Sequence, residues 1–155
     1  MSLKKNLAIT TIRPIHVYGP YEEPIRLIPT LLKKLIENKK IKLVSPDISR
    51  DLIYIDDVIN FYILIAKNNK LRGEIFNLGY GKKTTIKLIY DYLKRITNYK
   101  NFNKWSTMKN RSWDQKVWFS DMTYVKRKLK WCPKIDYKKG LYKTLIWHKE
   151  FYKKK

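Results

Sequence analysis

The sequence predicts an α/β fold. Short β-branched runs, stopped by glycine, proline or aspartate, alternate with longer segments whose apolar residues recur at helical spacing. The 155 residues fit one ordinary domain, and 44% hydrophobic residues with 14% aromatics are enough to build a core.

The first element is a buried strand over residues 7–12 (LAITTI), stopped by Arg13-Pro14, with a loop to Pro24. Over 25–37, Leu27, Ile28, Leu31, Leu32, Leu35 and Ile36 fall on one face and Lys33 and Lys34 on the other, so an amphipathic helix begins near a proline. Residues 41–44 predict a short strand, 46–49 a turn and 51–55 (DLIYI) a second strand. Asp56 or Asp57 is placed to cap a helix over 58–67, whose nearly all-round apolarity predicts a sandwiched position. Residues 73–78 (GEIFNL) predict a strand, and Thr84 or Thr85 caps a helix to about Thr97. The polar, aperiodic stretch 98–116 predicts a long loop or extended edge segment, a length often tied to function. Asp121 caps a short helix over 122–130, and a last helix covers 137–152, its terminal lysines frayed.

The charge is +22, from 35 basic and 13 acidic residues, which raises nucleic acid, an anionic membrane or an acidic substrate as partners. Only seven of the basic residues are arginine, the side chain suited to bidentate phosphate and base recognition. Compositional drift in a Lys-, Ile-, Asn- and Tyr-rich chain is therefore favoured over selected nucleic-acid binding. No apolar run approaches the ~18 residues of a membrane span, and no apolar stretch follows the lysines of the first six residues as in a signal peptide. A soluble, cytoplasmic protein is expected. The one cysteine, Cys132, excludes an intrachain disulfide and a cysteine-based zinc site; between Trp131 and Pro133 it is expected to pack as a small hydrophobe, with a reactive thiol as the alternative. Neither His16 nor His148 has a partner at metal-ligand spacing.

Four stretches carry the chemistry: Arg13-Pro14-Ile15-His16-Val17-Tyr18-Gly19-Pro20, then Ser49-Arg50-Asp51-Leu52-Ile53-Tyr54-Ile55-Asp56-Asp57-Val58, then Gly73-Glu74-Ile75-Phe76-Asn77-Leu78-Gly79, and Leu129-Lys130-Trp131-Cys132-Pro133. In this order and separation they resemble the C-terminal half of the extended short-chain dehydrogenases/reductases, the family of NAD-dependent nucleotide-sugar epimerases and dehydratases. Its usual forms there are R-x-x-N-V-Y-G-P, R-D-F-V-Y-V-D-D-V, G-E-x-F-N-x-G and L-G-W-x-P, and the resemblance spans about residues 8–150. It implies the last strands of a Rossmann-like parallel sheet plus a small mixed α/β substrate lobe, with residues 1–155 forming a single C-terminal, substrate-binding portion.

The resemblance also implies site residues. Arg50 matches an arginine near the nucleotide diphosphate, where a planar charged fork suits the ligand; an ion pair with Asp51 or Asp56 is the alternative. Arg111 resembles a later substrate arginine or is a surface residue. Asn77 would bond the nucleotide or satisfy its turn, and Arg26 matches a substrate-lobe position or marks a solvated helix start. Pro14, Ile15 and His16 correspond to backbone lining the nicotinamide of NAD. His16 stands where asparagine is usual, and imidazole has a different reach and titrates near neutrality.

Dinucleotide binding in the family uses a Gly-rich turn at a helix N-terminus, and no G-x-x-G-x-x-G or G-x-G-x-x-G occurs here. The family's catalytic Tyr-x-x-x-Lys lies farther upstream than the twelve residues before Arg13; Tyr90 and Lys94 have the spacing but lie on the wrong side of every motif. The expectation is a nucleoside-diphosphate-sugar-binding portion that is not catalytic alone and holds no NAD by itself, with the dinucleotide-binding half elsewhere. The alternatives are a non-catalytic nucleotide-sugar binding module and, less favoured, a basic nucleic-acid binder. Parallel-sheet strands normally have both faces covered, so an N-terminal half or a homodimer is expected as partner.

Overall fold

The computed structural model describes residues 9–108 and 115–153. Its elements are β1 (Thr11–Pro14), β2 (Val17–Tyr18), α1 (Leu27–Ile36), β3 (Ser49–Arg50), β4 (Ile53–Tyr54), α2 (Ile55–Ala66), β5 (Ile75–Leu78), β6 (Thr84–Thr85), α3 (Ile86–Ile96), β7 (Val117–Trp118), α4 (Thr123–Leu129) and α5 (Tyr137–Lys153). β1 pairs in parallel with β5 and β2 in parallel with β4, while β3 lies between antiparallel β6 and parallel β7.

β1 runs two residues past the predicted stop, through Arg13-Pro14. Thr11 and Ile15 donate their N–H groups to Glu74 O and Leu78 O, both at 2.9 Å. Alternate residues of a strand face opposite edges, so Ile12 and Pro14 turn toward the edge away from β5, where the proline's missing N–H costs this ladder nothing. Leu7 and Ala8 of the predicted strand lie outside the described residues.

Two cores result. α1 lays Ile28, Leu31, Leu32 and Leu35 against α3 and α5 together with Ile89, Leu93, Leu141 and Leu145. α2 lays Val58, Phe61 and Ile65 on Phe76 and Leu78 of β5 and on Val125 of α4. Ile55, at the start of α2, packs against both clusters and so couples them. Each fully buried Leu, Ile or Phe contributes about 2 kcal/mol. Where the cores meet, α5 passes so close to β2 that a Cβ on Gly140 would collide with the Tyr18 hydroxyl.

Several expectations are corrected by long-range partners. Residues 41–44 form no strand: Ile41 N donates to Asn103 Oδ1 (2.7 Å), Leu43 N to Thr107 Oγ1 (3.2 Å), and Leu43 O accepts from Thr107 and Met108 N–H, so an irregular loop satisfies this backbone. Residues 51–55 form no single strand either; Arg50 ends β3, Ile53–Tyr54 is β4, and the helix starts at Ile55. Neither Asp56 nor Asp57 caps α2, whose N-cap is Tyr54 without a side-chain bond. The buried Asp57 carboxylate instead accepts Lys134 N (3.0 Å) and Ile135 N (2.8 Å), and Asp56 meets Lys143 Nζ at 2.5 Å. Both still favour the positive end of the helix dipole. α2 is not sandwiched within this chain, because Ile59, Tyr62 and Ile63 are 50%, 48% and 48% exposed.

Cys132 is exposed rather than packed, because Trp131, Pro133 and Ile135 alternate inward in an extended segment and Trp131 sits on Phe61 at 4.8 Å. The Thr85 cap forms as expected, accepting from Leu88 N (3.2 Å). Asp121 accepts from Thr123 N (2.8 Å) at the head of α4, one residue ahead of the N-cap Met122. No helix among the described residues is long and apolar enough to cross a membrane.

Candidate functional site

A cleft of about 730 Å³ opens between the loop after β1, the start of α1, the chain around Ile41 to Val44, and the β3–β7 pair. That volume lies in the range of small-molecule sites. Leu27, Ile28, Leu31, Ile48 and Leu52 give it an apolar floor, and Pro14, Ile15, His16, Arg26 and Arg50 all line it. Five sequence-predicted positions, drawn from three separate segments, thus share one cavity.

The β1–β2 connection is fixed at both ends. Ile15 N donates to Leu78 O and His16 O accepts from Ile53 N (3.3 Å), so the loop joins the β1–β5 and β2–β4 pairs. Its turn needs His16 in the left-handed region, at φ 41°, where its ring meets Trp118 edge-on at 5.3 Å. Gly19 follows at φ 144°, and a Cβ there would lie 2.5 Å from Ile55 Cγ2. Glycine is required by both conformation and space.

Arg50 ends the central strand of the three-stranded sheet, opposite Thr84 and Trp118. Its Nη1 donates to Ser49 O and Gln115 O, each at 3.0 Å. The two acids offered as ion-pair partners are otherwise engaged, Asp56 with Lys143 and Asp51 with backbone. Asp51 is fully buried and accepts the N–H groups of Tyr80 (3.0 Å), Gly81 (3.0 Å), Lys82 (3.4 Å) and Ser120 (3.1 Å). Burial raises its carboxyl above the usual carboxylate range, against the pull of those four donors. The same clamp explains Gly79, where a Cβ would strike the Asp51 carboxylate and Ser120 Cβ.

Arg26 precedes α1, is largely exposed, and lies 3.4 Å from Glu23. Beside it stands a residue the sequence reading did not single out. Glu22 lines the cleft, its Oε2 is enclosed, and no hydrogen-bond partner reaches that oxygen. Burial pushes its carboxyl up to about 7, against Arg26 and the Gly19 backbone, which lower it. A carboxyl that binds its proton more tightly in the folded chain costs stability as it ionises. Wild-type stability is therefore expected to fall, relative to Glu22→Gln, as pH rises from about 4.5 to about 7, and to run parallel to it above. Urea unfolding of both proteins across that range checks this; a constant gap would contradict it.

Asn77 is not brought into the cleft. It is exposed on β5, opposite Arg13. Arg111 lies outside the described residues. His148 is buried on α5, away from the cleft lining, and burial lowers its pKa. Trp118, which also lines the cleft, falls between the aperiodic stretch 98–116 and the helix capped by Asp121, where the sequence assigns no element and no local pattern marks the aromatic. Among the described residues no cluster of three or more metal-ligating side chains occurs.

Comparison with known proteins agrees with this architecture. The sequence pattern of the NAD dependent epimerase/dehydratase family matches residues 1–79. The chain is 35% identical over 152 residues to a UDP-glucuronate 4-epimerase of Thermodesulfobacterium geofontis, covering 93% of this chain and 44% of that protein. It is 29% identical over 152 residues to the human dTDP-D-glucose 4,6-dehydratase, covering 92% and 41%. A crystal structure of Thermotoga maritima UDP-glucose 4-epimerase with UDP-glucose superposes with a TM-score of 0.88 at 26% identity, over 97% of this chain and 49% of that one. A Bacillus cereus UDP-glucuronic acid 4-epimerase, solved with UDP-glucuronic acid and NAD, has the same fold at TM-score 0.88 and 24% identity, over 97% and 48%. The chain thus spans about half the length of the relatives it matches, and its α/β fold corresponds to their C-terminal portion. The chain belongs to the NAD dependent epimerase/dehydratase family, within the extended short-chain dehydrogenases/reductases.

Proposed function

We propose that this chain forms the nucleotide-sugar cleft of a nucleoside-diphosphate-sugar epimerase or dehydratase and is not catalytic alone. The observation that carries the reading is the convergence of His16, Arg26, Arg50 and Trp118 on one apolar-floored cleft. A guanidinium fork suits a diphosphate, an aromatic face and apolar floor suit a flat base, and the remaining polar groups can meet sugar hydroxyls. Similarity to proteins described as acting on UDP- and dTDP-sugars supports the same ligand class.

The fit to NAD is partial. Pro14 and Ile15 present an apolar wall suited to the nicotinamide ring, but Ile15 N–H and His16 C=O are already spent within the chain. The sequence offers no Gly-rich turn for the pyrophosphate. When bound, NAD supplies the hydride acceptor for oxidation of the sugar. In this reading the family's dinucleotide-binding half, or failing it a second copy of this chain, covers the outer edge of β1 and the half-exposed Ile59, Tyr62 and Ile63 of α2.

Titration calorimetry with UDP-, dTDP-, CDP- and GDP-glucose tests the reading. Heat of binding is expected with at least one of them, without turnover when NAD is added, and sedimentation velocity is expected to find the chain self-associated. No heat with any at millimolar ligand would sink the binding claim, turnover with NAD the claim of catalytic incompleteness, and a clean monomer the claim about uncovered faces.

A further inference from the structure

We infer that Glu22 is the specificity-determining residue of the cleft: its enclosed carboxylate accepts a hydrogen bond from a hydroxyl of a neutral sugar and turns away sugars that carry a carboxylate of their own. The inference rests on the nucleotide-sugar reading above and adds to it the class of sugar.

Among the described residues Glu22 Oε2 is the one carboxylate oxygen that is enclosed, lacks a partner and borders the cleft. The cleft-facing carboxylate neighbour Glu23 is spent on Arg26, and Asp51, Asp56 and Asp57 are spent within the fold. Leaving a buried acceptor unmade is expensive, and the Arg26 charge and the Gly19 backbone offset only part of that cost. The residue sits at the tip of a turn whose geometry is itself costly, with Gly19 at φ 144° and Tyr21 at φ 64°. The turn, closed by Glu22 N–H donating to Gly19 O at 3.4 Å, sets the carboxylate at the cleft wall. A sugar hydroxyl supplies the missing donor, whereas a uronate carboxylate supplies a second negative charge in a partly desolvated corner, where like charges repel strongly.

The charges of the cleft are arranged for this division. The cation fixed by the β3–β7 pair is Arg50, held through Ser49 O and Gln115 O beside Trp118 and His16. Glu22 comes from a different wall, the turn before α1, where the neighbouring Arg26 is paired with Glu23 at 3.4 Å. A ligand that is a diphosphate at one end and a neutral polyol at the other matches both walls at once.

The test compares the wild-type chain with Glu22→Gln by calorimetry at pH 8, above the range in which Glu22 titrates. The ligands are the nucleoside diphosphate, its glucose conjugate and its glucuronate conjugate, in the UDP or dTDP series, whichever wild type binds tighter. Wild type is expected to bind the glucose conjugate at least tenfold tighter than the glucuronate conjugate, and Glu22→Gln to narrow that ratio about tenfold with affinity for the bare diphosphate unchanged. An unchanged ratio in the variant, or wild-type preference for the glucuronate, overturns the inference and leaves the nucleotide-sugar reading standing. So does an equal loss for bare diphosphate and conjugates, which marks a purely structural role. Absence of binding to every ligand overturns the nucleotide-sugar reading, and the inference with it.

Discussion

Replacing Asp51 with alanine is expected to lower the unfolding free energy by about 4 kcal/mol and the melting temperature by about 10 °C. The side chain is fully buried, and its carboxylate gathers the N–H groups of Tyr80, Gly81, Lys82 and Ser120. Alanine removes the acceptor for all four, the Ser120 N–H buried and the other three partly so, and each donor left unsatisfied away from water costs about 1 kcal/mol or more. The position magnifies the loss. Asp51 lies between β3 and β4, and its bonds tie the turn after β5 and the segment before α4 to that junction, so both cores depend on it. Asp51→Asn keeps the volume but turns an NH2 toward donors, and is expected to recover less than half of the loss. Urea unfolding at neutral pH measures both variants. A loss below about 1 kcal/mol for Asp51→Ala would mean that water replaces the carboxylate.

Asp51 also marks where sequence reasoning runs out. The amphipathic stripe of α1 and the Thr85 cap of α3 were legible because their partners lie within a turn or two of chain. The arginine-aspartate pair was legible as a motif, yet the role of its aspartate depends on residues 29 and 69 positions away. Asp57 follows the same logic: a carboxylate at a helix start suggests a cap, and only tertiary structure delivers Lys134 and Ile135 to it. The apolar run at 41–44 has strand composition, but its neighbour is the irregular loop carrying Asn103 and Thr107, so no ladder forms. In the candidate site, His16 and Arg50 were legible because short motifs place them, and Arg26 as a family substrate-lobe position ahead of α1; the fold brings all three to one cleft. Glu22 was not, since its burial is a product of the turn around Gly19 and Tyr21 rather than of its neighbours in sequence.

Arg50→Ala is expected to weaken binding of a nucleoside diphosphate or its sugar conjugate by about 2 kcal/mol, roughly 30-fold, and to leave binding of the bare nucleoside unchanged. Backbone carbonyls of Ser49 and Gln115 hold Nη1, so the guanidinium enters the cleft wall pre-oriented and little rotamer entropy is lost on binding. In the proposed reading its permanent charge and planar fork meet the two phosphoryl groups, a geometry lysine does not reproduce, so Arg50→Lys should restore no more than about a third of the lost free energy. Stability should change by less than about 1 kcal/mol, because the bonds to Ser49 O and Gln115 O lie at a partly exposed site. Calorimetry of UDP, UDP-glucose and uridine, or their thymidine counterparts, with wild type and both variants separates the contributions. Equal weakening for uridine would place Arg50 in the scaffold of the cleft, and no weakening for UDP would remove it from the ligand altogether. Loss confined to the diphosphate-bearing ligands, uneven between alanine and lysine, is the pattern that a pre-oriented guanidinium fork requires.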